Sequence, residues 1–382
     1  MPAGAEIESS APWDVLFFSS VDFASHAQRP QAVARELVAL GAHLLYVDNL
    51  GLRLPKLDDR KRVVRRVRNA RAKPDVTNPI TVVSPLVPPF ERWPQARRFL
   101  RESLLARVRP WRTDRPLVVW TYLPNPVIGE VATLSGARAL VYEYADLASL
   151  RVRVRSTRHR DRVAQWEERM FDRADAVFVP NERLITARGI DVPHAYVVPH
   201  GSPTVRPAAT PFLLDEFRHP RIAFVGSISP MVDIELLDGL AATNPLWSFV
   251  IVGPQRVPLR QLPRRPNVLL TGERSAEDTA GLLAECDVGI IPYLRNATGI
   301  DTVSPLKLHD YLALGLPVVS VDIPGVRGYE DVEVATGVYG FSAAIQRALA
   351  RGRGPRRVAG TWADKVREMV TRVRESNSNI DP

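Results

Sequence analysis

The chain has 382 residues, of which 45% are hydrophobic and 24% are charged, and its net charge is +9. These proportions are those of a globular protein and exclude a disordered one. A chain of this length exceeds one ordinary core and predicts two domains of about 150–200 residues each.

The single cysteine, Cys286, indicates a reducing compartment, because one thiol cannot form an intrachain disulfide. No apolar run approaches the roughly 20 residues that span a bilayer. Residues 1–10 are acidic and lack the apolar segment of a secretory signal peptide. The sequence therefore predicts a cytoplasmic protein.

Positive charge is concentrated in the first half of the chain, in arginine-rich stretches at residues 53–73, 92–115 and 151–160. Such stretches are either solvated faces or a surface for anionic lipid headgroups or an anionic lipid-linked substrate. The second reading places the protein peripherally at the inner face of the cell membrane. Nucleic acid is not expected as a partner, since no recognition module is visible.

The first half of the chain alternates short apolar strands with helices or loops. A strand is predicted at residues 15–20, a helix at 29–41 and a second strand at 43–48. Pro30 suits the first helical turn, and Gly41 is a stop signal. This strand–helix–strand unit begins a doubly wound parallel sheet. Further elements are predicted as strands at 81–83, 117–121, 139–143 and 176–179, and as a short helix at 181–189.

A second alternation begins at Arg221, after a proline-rich and alanine-rich stretch at residues 203–220 that predicts a linker. Its strands are predicted near residues 221–225, 249–252, 268–272, 288–293 and 317–321. The sequence thus predicts an α/β protein with two Rossmann-like domains facing each other across a cleft. The predicted domains are residues 1–202 and 203–354, followed by a C-terminal helix and tail at 355–382 that packs on either domain.

The most informative segment, residues 301–320, is predicted to be a helix followed by a strand. Ser304 is its predicted N-cap and Pro305 its first helical residue. Lys307 falls in the first turn, where a cation opposes the helix dipole at a cost of about 0.3–1 kcal/mol. A diphosphate would account for this placement, because helix N-termini bind anions. Asp310 follows on the same face as a candidate partner of sugar hydroxyls; the alternative is a lysine that simply reaches solvent.

Three other loops follow predicted strands, where ligands of open α/β sheets bind. Gly226 and Ser227 follow one strand and suit a close approach of backbone to phosphate. Asp146 follows another and is a candidate general base, with Glu143 as its rival. The loop after the first strand offers three candidate acceptor contacts: Asp22, His26 and Arg29. Each loop has an ordinary structural alternative, namely a turn or a helix cap.

Several chemistries have no sequence signature here. The P-loop and the dinucleotide fingerprint are absent, and so is the nucleophile elbow. The seven histidines do not cluster with acidic residues at metal-ligand spacing. The sequence therefore predicts no metal and no resident cofactor.

Residues 304–319, SPLKLHDYLALGLPVV, resemble the C-terminal donor signature of GT-B glycosyltransferases that build bacterial surface polysaccharides. Within that group the chain is similar to the glucuronosyltransferase of xanthan assembly and to teichuronic-acid-type transferases. Shorter matches are SSVDF at 19–23, VYEYAD at 141–146, VGS at 225–227, GE at 272–273 and IPY at 291–293.

This resemblance implies an acceptor-binding N-terminal domain and a C-terminal domain that binds a nucleoside-diphosphate sugar, most often a UDP sugar. Lys307 would neutralise the diphosphate, beside the segment that includes Ser304 and Leu306. The other implied donor contacts are Gly226 and Ser227 near the diphosphate, Glu273 and Tyr293 at the nucleoside, and Asp310 at the ribose. Asp146 would be the base.

The resemblance also bears on stereochemistry. Thr302 stands where many retaining members carry a glutamate, and Asp310 replaces a second glutamate. These departures favour a reaction that inverts the configuration at the anomeric carbon. The predicted function is metal-independent transfer of a hexosyl or glycuronosyl group to a glycan or lipid-linked acceptor in cell-envelope or polysaccharide biosynthesis. The alternative is a nucleotide-sugar-binding or scaffold protein without turnover.

Overall fold

The computed structural model describes most of the chain, namely residues 11–25, 28–50, 79–85, 94–145, 157–187, 189, 192–203, 207–208, 214–258, 264–355, 360–378 and 380. The chain divides into two compact units. The first comprises residues 1–199 with 363–382, and the second comprises residues 200–362.

The first unit contains a seven-stranded parallel sheet with the strand order β3-β2-β1-β4-β5-β6-β7. Its strands are β1 (Asp14–Phe18), β2 (His43–Val47), β3 (Ile80–Val83), β4 (Leu117–Thr121), β5 (Ala139–Glu143), β6 (Ala176–Val179) and β7 (Ala195–Val197). Its helices are α1 (Arg29–Ala39), α2 (Pro94–Trp111), α3 (Pro126–Leu134), α4 (Thr157–Arg173) and α5 (Arg183–Thr186). The central strands are buried on both faces, as the apolar runs in the sequence predict.

The second unit contains a six-stranded parallel sheet with the order β10-β9-β8-β11-β12-β13. Its strands are β8 (Arg221–Val225), β9 (Ser248–Val252), β10 (Val268–Gly272), β11 (Val288–Ile291), β12 (Val318–Ser320) and β13 (Val332–Val334). Its helices are α6 (Ile234–Thr243), α7 (Ala276–Ala284), α8 (Leu306–Ala313) and α9 (Gly337–Arg351). Cys286 is buried in the core of this unit.

Both sheets are doubly wound, and each reverses its strand order once. In the first sheet the reversal lies between β1 and β4, and in the second it lies between β8 and β11. Ligands of such sheets bind beyond the carboxyl ends of the strands at this reversal. The fold therefore directs attention to the segments that follow β8 and β11.

The start of α8 differs from the sequence-based prediction by one residue. Leu306 is the first helical residue, and Pro305 is the N-cap, with φ −73° and ψ 112°. Ser304 therefore precedes the cap and does not supply it. The proline ring restricts φ to a value that suits both positions, but the extended ψ excludes Pro305 from the helix.

Other elements also differ from the prediction. Leu214, within the predicted linker, is buried in the core of the second unit. The helix predicted at 181–189 is shortened to α5, and β7, β13 and α9 were not predicted. The C-terminal helix α10 (Trp362–Ser376) belongs, from Ala363 onward, to the first unit. Across the described residues, no helix combines the length and the hydropathy needed to cross a bilayer.

Candidate functional site

A candidate site lies at the strand-order reversal of the second sheet. Gly226 and Ser227 follow β8, Tyr293 follows β11, and α8 supplies Lys307. The main chain after β8 and after β11 is linked by a bridge between Val232 and Tyr293. Residues that are far apart in sequence thus meet at one edge of the sheet.

Tyr311 fixes α8 against the sheet. Its hydroxyl accepts a hydrogen bond from the Val225 N–H at 2.9 Å and lies 3.3 Å and 3.2 Å from the carbonyl oxygens of Ala223 and Ile290. A Cβ atom on Gly289 would lie 2.5 Å from the Tyr311 ring. The helix therefore approaches the sheet this closely only because residue 289 is glycine.

Lys307 lies at the centre of the site and is only 7% exposed. Its Nζ donates a hydrogen bond to the Tyr293 hydroxyl at 2.6 Å, the only hydrogen bond of this amine within the described part of the chain. The amine also lies 4.5 Å from the ring centroids of Phe224 and Tyr293. Two of its three N–H donors remain available for a ligand.

Gly226 lies directly beneath this amine. A Cβ on Gly226 would lie 3.1 Å from Lys307 Cε and 3.2 Å from Nζ, and its φ is +127°. Gly253 follows β9 with φ +142°, and a Cβ there would lie 2.2 Å from the Gly226 carbonyl oxygen. Both positions therefore require glycine, and together they keep side chains away from this edge of the sheet.

The segments that carry Gly226 and Lys307 also contain backbone donors. Among the described residues, the N–H groups of Ser227, Leu306 and Lys307 have no hydrogen-bond acceptor. Those of Leu306 and Lys307 are the first amides of α8, where the helix dipole favours negative charge. Amide donors and an ammonium group close to one another form a site suited to an anion such as a diphosphate.

Asp310 shares the face of α8 that carries Lys307. The residue is half-buried, and the burial of its carboxyl raises the pKa to about 7, against the opposing effect of the Lys307 charge. No described residue donates a hydrogen bond to this carboxylate. Since about half of these carboxyls are neutral at pH 7, Lys307 is only partly compensated.

Ser304 lies immediately before this helix start. Its carbonyl oxygen lies 3.2 Å from His200 Nε2. Gly325 packs on the same segment, since a Cβ there would lie 2.1 Å from the Val303 carbonyl oxygen. The sequence analysis did not identify His200, because 104 residues separate it from Ser304. Its only sequence signal is a histidine that follows the last strand of the first alternation.

Glu273 follows β10 and is exposed. In strand order it lies two strands away from β8, at the same edge of the sheet. The structure therefore brings together Gly226, Tyr293 and Lys307, while Glu273 lies further along that edge.

In the first unit, Arg29 and Glu143 form a buried ion pair. Arg29 Nε donates to Glu143 Oε2 at 2.8 Å, and its NH1 donates to the Val198 carbonyl at 2.9 Å. The side chains are 2% and 0% exposed. Arg29 was predicted to offer a cation to an acceptor and Glu143 to be a rival base; here each is directed at the other.

The other predicted residues of the first unit are only partly described. Asp22 is 7% exposed, and its carbonyl accepts a hydrogen bond from Ser25 Oγ at 2.7 Å. His26 and Asp146 lie outside the described residues, as do the basic stretch at 53–73 and the side chains of the stretch at 151–159. Within the described part, no three metal-ligating side chains lie together.

One sequence comparison concerns the second unit, and another covers about a third of the chain. Residues 219–351 match the family model described as Glycosyl transferases group 1. The Bacillus subtilis (strain 168) protein TuaH, described as a teichuronic acid biosynthesis glycosyltransferase, is 32% identical over 139 residues. The aligned part is 34% of this chain and 35% of that relative, so it spans about a third of each protein. The resemblance to glycosyltransferases of the teichuronic-acid type is confirmed over this part of the chain.

Solved structures match nearly the whole chain. Anabaena Alr3699/HepE, in complex with UDP-glucose, gives a TM-score of 0.58 at 13% identity over 96% of this chain and 98% of its own. The UDP-N-acetylglucosamine 2-epimerase of Rickettsia bellii gives 0.51 at 10% identity over 95% and 96%. The predicted GT-B fold is thereby confirmed, and the fold alone does not separate a transferase from an epimerase.

Proposed function

We propose that this chain, whose residues 219–351 carry a glycosyl transferase group 1 domain, is a glycosyltransferase that uses a nucleoside-diphosphate sugar, in the first place a UDP sugar. The observation that carries the proposal is the buried Lys307 amine, which has one hydrogen bond among described residues and lies over Gly226. A buried cation is costly unless an anion compensates it. A diphosphate supplies that charge.

The proposed donor contacts combine this arrangement with the roles that the resemblance in the sequence implies. Lys307 and the amides of Ser227 and Leu306 bind the diphosphate oxygens through charge-assisted hydrogen bonds. Ser304, two residues before Leu306, is also part of the proposed donor site. Tyr293, beside Lys307, and Glu273, further along the sheet edge, contact the nucleoside, and Asp310 contacts the ribose.

The proposed reaction is a direct displacement with inversion. An acceptor hydroxyl oxygen attacks the anomeric carbon, the bond from that carbon to the diphosphate oxygen breaks, and its electron pair leaves with the nucleoside diphosphate. Asp146 takes the proton of the hydroxyl, and Lys307 stabilises the negative charge that develops on the leaving group. Glu143 is less suited to be the base, since it is buried and bound by Arg29.

The proposed acceptor is a hydroxyl of a glycan or of a lipid-linked intermediate in cell-envelope biosynthesis. Helix α2 supports contact with an anionic membrane surface, because Phe99 is 58% exposed on a helix that carries arginines at positions 97, 98, 101, 107 and 109. Sedimentation with vesicles that contain anionic lipid, at low and high salt, tests this part. Equal sedimentation with neutral vesicles contradicts it.

Calorimetric titration with UDP, GDP and ADP tests the donor proposal. We expect UDP to bind most tightly. Binding of none of the three nucleotides contradicts the proposal, and binding of UDP without transfer or hydrolysis of UDP sugars indicates the scaffold alternative. If NMR shows that the configuration at C2 of a UDP sugar changes, the protein is an epimerase.

The Asp146→Asn substitution tests the base. We expect a loss of transfer rate of about 10²–10⁴-fold, typical of a general base, with unchanged UDP affinity. Asp161→Asn, which changes an exposed aspartate of α4, is the matched control and retains full rate. Full activity of Asp146→Asn rules out this residue as the base.

A further inference from the structure

We propose that His200 is a positioning residue of the donor site: its imidazole holds the Ser304 carbonyl and thereby fixes the first turn of α8, which carries Lys307. The inference rests on the proposed function only in that the anion bound there is taken to be a nucleotide diphosphate. The contacts that support it all lie within the second unit, residues 200–362.

The geometry defines the state of the imidazole. His200 is 5% exposed, and its Nε2 lies 3.2 Å from the Ser304 carbonyl oxygen. A carbonyl oxygen only accepts hydrogen bonds, so Nε2 carries the proton. The His200 ring packs edge-on against His309 of α8, with centroids 5.8 Å apart at 87°. His200 therefore contacts both the segment before α8 and the helix itself.

The backbone around His200 is a rigid support. A Cβ on Gly201 would lie 2.5 Å from the Trp362 nitrogen. The Ser202 N–H donates to the Gly360 carbonyl at 2.9 Å, and the Trp362 N–H donates to the Ser202 carbonyl at 3.3 Å. The Trp362 ring also packs at 6.0 Å from the His200 ring. The imidazole is thus held by two chain segments.

The start of α8 needs such external support. Pro305 is its N-cap, and no side chain caps the helix. The residue normally expected to do so is a Ser, Thr, Asp or Asn at that position. Gly325 packs so closely on the same segment that its Cβ would lie 3.2 Å from Ser304 Cα. His200 and Gly325 therefore both contact the segment, and His200 makes the polar contact.

The consequence concerns ligand binding more than folding. The Ser304 carbonyl belongs to the peptide group that joins Ser304 to Pro305, one residue before the Leu306 N–H. A shift of this peptide group redirects the amides of Leu306 and Lys307. Since a displacement of about 1 Å in a positioning element reduces site function strongly, loss of His200 is expected to weaken nucleotide binding even where the fold is intact.

Two substitutions separate a positioning role from a packing role. His200→Gln keeps an amide N–H near the place of Nε2, whereas His200→Leu fills a similar volume and has no donor. The control is His219→Leu, in the same unit. His219 precedes β8, at the edge of the sheet opposite the candidate site, and its imidazole pairs with Asp287. All variants are made in the full chain.

The first readout is hydrogen exchange in the absence of nucleotide. We expect faster exchange over residues 303–313 in His200→Leu, wild-type exchange in His200→Gln, and no change there in His219→Leu. The second readout is calorimetry with UDP, together with the thermal midpoint of each variant. We expect UDP affinity to fall about tenfold in His200→Leu, and to remain within about threefold of wild type in His200→Gln and His219→Leu.

The inference is overturned if His200→Leu binds UDP as tightly as wild type, or if His200→Gln binds UDP as weakly as His200→Leu. It is also overturned if His200→Leu shows no cooperative melting, since His200 would then act in folding. Failure of the proposed function gives a different pattern. Wild-type protein would not bind UDP, while the exchange of residues 303–313 would still respond to His200→Leu and recover in His200→Gln.

Discussion

Lys307 donates a 2.6 Å hydrogen bond to the Tyr293 hydroxyl, and its amine lies 4.5 Å from the centroids of both the Tyr293 and Phe224 rings. Aromatic faces attract a cation but do not neutralise it. The nearest carboxyl on the same helix face, Asp310, has its pKa raised to about 7 by burial. A buried lysine in such surroundings lowers stability in the absence of a ligand and becomes favourable when an anion binds.

Lys307→Met is therefore expected to weaken UDP binding while leaving the thermal midpoint unchanged or higher. The loss of charge-assisted hydrogen bonds is worth about 1.5–3 kcal/mol, which corresponds to about 10–150-fold in affinity. Calorimetry and thermal denaturation measure the two effects. Lys365→Met, which changes a lysine paired with Glu368 on α10, is the control and binds UDP normally. Unchanged affinity of Lys307→Met removes this lysine from the site.

Tyr293→Phe keeps the ring and deletes the hydroxyl that receives the Lys307 hydrogen bond. We expect UDP affinity to fall about three- to tenfold, because the amine loses the contact that orients it but keeps its charge. Tyr339→Phe, at an 82% exposed tyrosine of α9, is the matched control. A Tyr293→Phe variant that binds UDP as tightly as wild type shows that the hydroxyl does not contribute.

Gly226→Ala brings a methyl group into tight contact with the Lys307 side chain. The new Cβ would be 3.1 Å from Cε, and φ is +127°, a conformation that alanine rarely adopts. We expect a loss of stability of about 1–3 kcal/mol and a loss of UDP affinity of at least about tenfold. Gly352→Ala has φ +70° and no atom within 4 Å of its Cβ, so it shares the backbone strain only. Equal UDP affinity in both variants contradicts the proposed contact.

Asp310 makes stability and donor binding depend on pH. Its folded-state pKa is raised from 3.8 to about 7, so between these values the folded protein holds a proton that the unfolded chain has lost. Its contribution to the free energy of unfolding therefore falls as pH rises from about 4 to 7, and levels off above. A neutral carboxyl also leaves the Lys307 charge uncompensated until the diphosphate binds. UDP-glucose is therefore expected to bind more tightly at pH 6 than at pH 8.

Calorimetry with UDP-glucose tests this pH dependence, because its diphosphate, unlike that of UDP, does not titrate over this range. Asp310→Asn should abolish the difference between pH 6 and pH 8. Asp322→Asn is the control, since Asp322 is held by Arg327, which lowers its pKa, and it stays ionised at both pH values. A pH difference that persists in Asp310→Asn places the titrating group elsewhere.

Much of the fold could be predicted from local patterns. The continuous apolar runs that predict β1, β4, β5 and β8 are buried parallel strands in the structure, since a strand covered on both faces has no polar positions. Two of the elements that were missed, β13 and α9, follow the last predicted strand. In β13 a glutamate separates two valines, so its pattern is weak, whereas Phe341, Ala344, Ile345 and Ala348 of α9 have a helical spacing that the prediction did not use.

Within the candidate site, the sequence by itself identified Lys307 and Gly226. A lysine in the first turn of a helix opposes the dipole, and a glycine at a strand end permits close approach, and both signals are local. The sequence also favoured Ser304 as the N-cap, which was wrong by one residue, because cap position depends on the ψ of Pro305. A local pattern does not fix that angle.

The tertiary structure alone decided how these residues are surrounded. The Tyr293 hydroxyl under the Lys307 amine, the Tyr311 ring on Gly289, the Arg29–Glu143 pair and the His200 contact with Ser304 join residues separated by 14 to 114 positions. No periodicity or motif encodes such pairs, since they arise where strands from distant parts of the chain align at one sheet edge. Residue type and local spacing give a site its candidates, whereas packing fixes their charge, burial and direction.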